Sequence, residues 1–599
     1  MLDTTPAVGL LRSSPIGQFR VDWPRVIAAF ESSWVAYPLL FILQFKVVWG
    51  IWAVCDVPLG DTACYFTESW LWYSGGEVNI AWSPLYTSFY GSFLFLNSDP
   101  IWATFAHRIV IVLTATMLVL AVFRQLLPAS IAWLCAAWWG VLPIVFNTLY
   151  EVHLFATIPV LTAWLLVLTA TGPWRRAAAL GIFAASAVLV RNELSVPTGV
   201  LGSVLAIHEL RRLRRGEGMD LWRTLAAYAT AMCLAAGLCG IMYAVSVAKY
   251  PDLAPYLKEK HTLNMAQVYA YGYQQRHPEW THSPWTESTP LIEQTFGSTA
   301  PTLREMIAAN PDAVAEHFAW NAALTPSGLQ LLLFHHASGS VTPDYDGRVT
   351  TQLSSRLATV LTAGLLALWA VGLRLLWCGR RDWWPNWISG RALGWGAMLA
   401  VATVVPLVIL TQRPRPSYLF TFAVLLMAIT GMCIYAVTTR WRLTGQLRSV
   451  APLVMVGLVL FVPRYFVLGK HTKRPIANSV ERLLPYRDAI TAPGIVTLVP
   501  DRASVGYYIH PASRDRKLQA TREFPQLVAR VSAGDTFATL LARHNVDYAY
   551  LDERSLGWLE ASTCDDAREF VNGRGAPGWE LIAAGNAPDD RWRLYRQVK

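Results

Sequence analysis

Charged residues are scarce in this sequence. Asp, Glu, Lys and Arg make up 15% of its 599 residues, where a soluble globular domain carries about 25%. That shortage excludes a water-solvated body for most of the chain. Lysine and arginine are missing altogether from residues 56–100, which carry Asp56, Asp61, Glu68, Glu77 and Asp99 instead. No glycine-rich phosphate loop and no zinc-type cysteine spacing occurs, so an ATP-driven or zinc mechanism has no support. There is no internal repeat and no low-complexity tract. The eight cysteines are scattered. Cys135, Cys233, Cys239, Cys378 and Cys433 sit inside apolar runs and read as packing residues. Cys55 and Cys64 flank one short loop, where a disulfide requires an oxidising compartment and suitable geometry. Residues 1–34 hold Arg12, Arg20 and Arg25 but no apolar core followed by a small-residue cleavage site, so the first helix is expected to stay as an anchor.

What the chain has is apolar surface. Hydrophobic residues reach 54%, with 27 tryptophans, and aromatic rings concentrate at membrane interfaces. A bilayer core of about 30 Å needs roughly 20 apolar residues in a helix. The segments 35–55, 101–123, 129–148, 154–171, 177–190, 194–208, 224–248, 355–378, 392–411, 419–437 and 449–468 meet that description, about eleven spans in all. The fifth and sixth are short, and the break Arg191-Asn192-Glu193 between them suits a helical hairpin. The net charge of +10 reads as cytoplasmic anchoring and not as nucleic-acid binding. With the N-terminus in the cytoplasm, Arg124, Arg175 and Arg176, the Arg211–Arg215 run, Arg380, Arg381 and Arg391, and Arg440, Arg442 and Arg448 all fall on the inner side. The sequence then divides into a cytoplasmic segment 1–34, a transmembrane region 35–468 with outer loops 56–100 and 249–354, and a soluble tail 469–599. The tail alternates apolar strand-like and helix-like runs (GIVTLVP, TFATLLARHNV, DYAYLD, RWRLYRQV), which predicts a small extracytoplasmic α/β domain. The fold class expected is an α-helical polytopic membrane protein with that domain appended. The short cytoplasmic loops fit a bacterial inner (plasma) membrane.

The loop after the first span carries the most chemistry. Asp61 follows a Pro-Leu-Gly turn and precedes a helix. It reads either as an N-cap or as a carboxylate at the membrane surface able to take a proton from a substrate hydroxyl. Arg191 lies in the short hairpin, and a charge at membrane depth costs about 2.5–3.5 kcal/mol or more unless paired or hydrated. Glu193 and Glu151 are its candidate partners in a purely structural pair. Arg413 and Arg415, locked between prolines and followed by Tyr418, sit at an outer helix end against the positive-inside trend. They either snorkel to water or hold phosphate, for which guanidinium is well suited. Lys46 reads as an interior pairing residue. The outer-loop histidines His261, His277, His282, His317, His335 and His336 lack the i, i+4 spacing of a zinc site. Tyr269, Tyr271, Tyr273, Trp280 and Trp285 read mainly as packing.

Taken in order, Asp61, Tyr65, Pro84-Leu85-Tyr86, Arg108, Glu151 in LYEVHLFAT, Arg191 and Arg413-Pro414-Arg415-Pro416-Ser417-Tyr418 resemble the class C (GT-C fold) glycosyltransferases, polytopic enzymes that use polyprenyl-phosphate sugars. The resemblance spans most of residues 35–440. It departs at Thr62, where Glu is common, leaving Asp61 the sole carboxylate at that motif. It implies Asp61 as catalytic base, with Arg108, Glu151, Arg191, Arg413, Arg415 and Tyr418 binding substrate. No metal ligands and no cofactor are implied, and a divalent metal is left open. The partners implied are a polyprenyl-phosphate sugar donor, a glycan, lipid or protein acceptor, and membrane lipids, without nucleic acid. Two other functions compete. One is a ligase or polymerase of lipid-linked glycans. The other is a transporter or flippase, for which internal repeats would be expected.

Overall fold

The structure is a computed structural model. It describes residues 22–49, 61–142, 151–216, 220–285, 287–343, 351–383, 391–462, 480, 482–492, 494–499, 509, 536–562, 565–587 and 590–598. The helical body runs α1 (Trp23–Glu31), α2 (Ser33–Val48), α3 (Asp61–Gly75), α4 (Pro84–Leu94), α5 (Pro100–Leu126), α6 (Ala129–Val141), α7 (Glu151–Leu168), α8 (Pro173–Leu189), α9 (Ser195–Arg214) and α10 (Leu221–Lys249). It continues through α11 (Leu253–Arg276), α12 (Ser288–Phe296), α13 (Leu303–Ala309), α14 (Pro311–Phe334), α15 (Gln352–Cys378), α16 (Arg380–Trp383), α17 (Ala392–Ala400), α18 (Val404–Thr411), α19 (Phe420–Arg440) and α20 (Thr444–Phe461). Helix starts follow local chemistry. Proline opens α4, α5, α8 and α14, where its missing N–H would have had no partner anyway. Asp99 caps α5 by accepting the Ile101 amide at 3.0 Å, and Thr302 with Glu305 forms a reciprocal capping box on α13.

Each of the eleven apolar segments falls on helix within the described residues. Among these residues six helices are long and apolar enough to cross a bilayer, and the α1–α2 pair, bent by 70°, is a seventh candidate. Helices α6 and α7 are apolar but shorter. Burial separates inner from outer helices: 72% of the best window in 416–440 is covered by protein, against 6% in α15 and 11% in α10. In water such bare leucine-rich faces would be costly. In lipid they are the expected outer surface, and the chain is an integral membrane protein. Helix α15 lies on α19, and α10 lies on α8. The α15 contact is close because Gly372 offers no Cβ, which would stand 2.4 Å from Cys433 Cβ. Lys46, an oddity in an apolar run, donates to the Val459 and Leu460 carbonyls at 2.9 Å each. It therefore satisfies last-turn acceptors of α20 that have no partner within their own helix.

The tail forms a four-stranded sheet in the order β1-β2-β4-β3, built from β1 (Thr497–Leu498), β2 (Tyr548–Leu551), β3 (Trp579–Ala587) and β4 (Asp590–Gln597). β1 and β2 are parallel, and the other pairs antiparallel. Alternation sends Ala549, Leu551 and Tyr595 into a core with Phe537, Leu540 and Phe570. Tyr548, Tyr550 and Leu594 belong to the apolar cluster that includes the helical body. The molecule is thus an α-helical polytopic membrane protein with a small C-terminal α/β unit.

Candidate functional site

The hairpin between α8 and α9 turns at Val190–Leu194, with a short 3-10 turn at Asn192–Leu194. This turn holds Arg191 against a small cavity lined by His153, Thr157, Glu193, Ser417, Tyr418 and Thr421 among others. Arg191 Nε donates to Glu193 Oε1 at 2.7 Å, and its guanidinium carbon lies 5.4 Å from the centre of the Tyr418 ring. The Tyr418 hydroxyl donates to Gln412 Oε1 at 3.3 Å, while the His153 ring stands edge-on to Tyr418 at 4.9 Å. Arg191 and Arg415 both act electrostatically on His153. The buried Ser417 Oγ has no hydrogen-bond partner among the described residues. One cavity therefore gathers a guanidinium group, an imidazole, a phenol and hydroxyls, with Glu193 as the adjoining carboxylate and the charge of Arg415 felt at His153. Such a lining suits an anion that also presents hydroxyl groups.

Helix α3 leads toward this cavity. Asp61 is its first residue, and the Asp61 side chain lies outside the described residues, as does that of Glu151, the first residue of α7. Tyr65, one turn after Asp61, is buried and packs edge-on against Trp82 at 5.2 Å and Tyr86 at 5.6 Å. Arg191 lies within electrostatic reach of Tyr65. Further along α3, Glu68 Oε1 accepts from Asn79 Nδ2 at 3.3 Å. Burial pushes the Glu68 carboxyl up to about 7, against the opposing pull of Asn79 and Lys260. Lys260 is placed over the Trp82 ring at 3.1 Å and donates to the Ala81 carbonyl at 2.8 Å.

Of the residues singled out in the sequence, Arg191 and Tyr418 line the cavity and Arg415 reaches it electrostatically. Arg413 turns elsewhere. The Arg415 amide bonds to the Arg413 carbonyl at 2.7 Å, and this tight turn separates the two side chains. Arg413 Nη2 donates to the Thr342 carbonyl at 3.1 Å, and its guanidinium sits 5.5 Å from the Tyr271 ring centre. Arg108 is buried in α5 beside His107 and is not among the cavity-lining residues. Sequence reasoning gave no role to His153 and Ser417, although both fall within the quoted motifs, and passed over Gly328. Gly328 in α14 lets that helix touch the Arg413–Arg415 turn, since a Cβ there would stand 2.2 Å from the Pro414 carbonyl oxygen. Nothing in one sequence marks that glycine. Among the described residues no three His, Cys, Asp or Glu side chains converge as metal ligands.

No protein-family model and no curated protein matches the chain. Solved structures do. The chain is similar to ArnT from Cupriavidus metallidurans bound to undecaprenyl phosphate, at 12% identity and TM-score 0.38, over 96% of this chain and 97% of that one. It is also similar to the archaeal oligosaccharyltransferase AglB from Archaeoglobus fulgidus in complex with an inhibitory peptide and a dolichol-phosphate, at 13% identity and TM-score 0.41, over 88% of this chain and 69% of that one.

Proposed function

We propose that the protein is an inverting glycosyltransferase that moves a sugar from a polyprenyl-phosphate donor to an acceptor hydroxyl on the extracytoplasmic face of the membrane. The observation that supports this reading best is the cavity at the α8–α9 hairpin. It brings Arg191 and Tyr418 together under the charge of Arg415, close to the helix that Asp61 begins. The order of motifs along the sequence points the same way.

In the reaction, the acceptor oxygen attacks the anomeric carbon on the face opposite the phosphate. Asp61 takes the hydroxyl proton. The bond from the anomeric carbon to the phosphate oxygen breaks, and its electron pair leaves with the polyprenyl phosphate. Attack from the opposite face inverts the anomeric centre. Arg191 and Arg415 stabilise the charge that grows on the leaving phosphate. The helices of 249–354 cover the site and limit hydrolysis of the donor. The C-terminal unit meets the acceptor, which is a glycan, a lipid or a protein. The scarcity of basic residues in 56–100 supports the outward placement of this face, and the N-terminus is then cytoplasmic.

The test is transfer of radiolabelled sugar from a polyprenyl-phosphate donor by the full chain reconstituted in vesicles. Asp61→Asn should leave the protein folded and lower turnover by about 10²–10⁴-fold, the range of a general base. Near-normal turnover in that variant rejects the base role. Movement of intact substrate across the vesicle without bond cleavage rejects the transferase.

A further inference from the structure

The segment between α3 and α4 reaches the Arg191 turn directly. Val190 follows the last residue of α8, where a helix leaves carbonyls without partners of its own. The buried Ser83 hydroxyl donates to the Val190 carbonyl at 2.7 Å. That carbonyl and the Arg191 amide belong to one rigid peptide plane. The Arg191 amide in turn donates to the Ser186 carbonyl at 2.9 Å. Ser83 and Ser186 thus fix the plane from which the Arg191 side chain projects. Ser83 does so from a left-handed backbone with φ of 53°. That conformation is unfavourable for a residue with a Cβ and persists only where its surroundings impose it.

The surroundings are the α10–α11 side of the outer lobe. Ahead of Ser83 lies one 3-10 turn, Ile80–Trp82. Asn79 caps it by accepting the Ala81 amide at 3.1 Å, and Ser246 of α10 accepts the Ile80 amide at 3.0 Å. Lys260 of α11 donates to the Ala81 carbonyl and stands over the Trp82 ring, joining charge to a hydrogen bond on adjacent residues. Tyr256, one helical turn earlier on α11, accepts the Trp82 Nε1 hydrogen at 3.1 Å. The 3-10 turn is therefore held by α11 and ends in the residue that holds Val190. The same lobe backs the other arginine, because α14 closes on the Arg413–Arg415 turn through Gly328.

We propose that Lys260 and Ser83 are positioning residues for Arg191: α11 fixes the Ile80–Trp82 turn through Lys260, and Ser83 passes that placement to the peptide before Arg191. Neither residue lines the Arg191 cavity. The effect on turnover rests on the transferase reading; the placement of the turn does not. Arg191 meets charge that grows on the leaving phosphate, so its misplacement acts on the chemical step more than on donor binding.

The test is a double-mutant cycle on the full chain reconstituted in vesicles, with Ser83→Gly and Lys260→Met. Glycine keeps the left-handed backbone and removes the hydroxyl. Methionine keeps an apolar stem and removes the ammonium. Each single variant should lower kcat for sugar transfer by about tenfold or more, with KM for the polyprenyl-phosphate sugar little changed. The double variant should lose no more than Ser83→Gly alone, because Lys260 acts through Ser83. Deuterium exchange in the peptide spanning 187–194 reads the turn without any reaction, and each variant should raise its rate by about tenfold. Tyr256→Phe, an exposed change at the same clamp, should raise that rate by a smaller factor and takes the place of Lys260→Met if the latter does not fold. Losses in kcat that multiply in the double variant overturn the proposal, as does unchanged exchange in Ser83→Gly or in the α11 variant. If the wild type transfers no sugar, the transferase reading falls, and exchange alone decides whether Lys260 and Ser83 place the turn.

Discussion

Two arginine–glutamate pairs, one buried and one half-buried, occupy different parts of the molecule. Arg176 and Glu209 join α8 to α9 at 2.6 Å, with side chains 6% and 10% exposed. Arg212 and the Tyr228 hydroxyl close on the same carboxylate at 3.5 and 3.4 Å. Arg191 and Glu193 are neighbours in sequence, pair at 2.7 Å, and line a cavity. The first pair holds two helices together and is crowded by protein on its carboxylate side. The second does not bridge helices and faces empty space with a tyrosine and a histidine beside it. A buried charge is therefore not by itself a mark of function; the empty space beside it is what sets the second pair apart.

Breaking the first pair should damage the fold. Arg176→Ala strands Glu209, and removing one partner of a buried pair costs about 3–5 kcal/mol. Denaturant titration in detergent should record that loss, while turnover per folded molecule should remain near normal. Breaking the second should do the reverse. Arg191→Gln should lower sugar transfer by about 10²–10³-fold, as for loss of one charge-stabilising donor, with little change in the same titration. If both variants lose stability equally, the distinction between the pairs fails.

Glu68 sharpens the comparison from a third position, because it has neither a cavity partner nor an ion pair among its hydrogen bonds. Its carboxyl, held up near 7 by burial, is neutral in the folded protein at pH 5 but already ionised in the unfolded chain. The stability associated with its neutral form is thus present below about 4.5 and is lost as pH rises to about 7. The total is about 3 kcal/mol. Glu68→Gln should remove this slope, read as melting temperature between pH 5 and 8. A slope unchanged in the variant would show that other groups set it.

The smallest effect is expected at Gly328. Gly328→Ala should push α14 from the Arg413–Arg415 turn and cost about 1–3 kcal/mol of packing. Because that turn carries Arg415 within electrostatic reach of the Arg191 cavity, the variant should also weaken sugar transfer. Unchanged sugar transfer would show that this turn does not set the placement of Arg415.

Much of the architecture was legible because membranes impose simple rules. Lipid demands long apolar helices, so all eleven segments could be located by hydropathy, and the four apolar runs of the tail fall on the helix Phe537–Arg543 and on β1, β2 and β4. Lengths were less legible. Helices α6 to α9 fall short of, or carry too much charge for, an unambiguous span within the described residues, because neighbouring helices and not lipid cover part of their surface. At the site, Arg191 stood out as a charge in an apolar hairpin, and Tyr418 and Arg415 as part of a proline-locked segment. The parting of Arg413 from Arg415 was not legible, since it depends on one backbone hydrogen bond across Pro414.

The sequence alone determined that this chain enters a membrane, which runs of it are helical, and where its basic residues thin out. These follow from composition and periodicity, which act residue by residue. Only the tertiary structure decided that Arg191 shares a cavity with His153, Ser417 and Tyr418, and that Gly328 lets α14 close on the Arg413–Arg415 turn. Those outcomes arise from contacts between helices far apart in the chain, and no local pattern encodes the absence of a side chain as a place for something else.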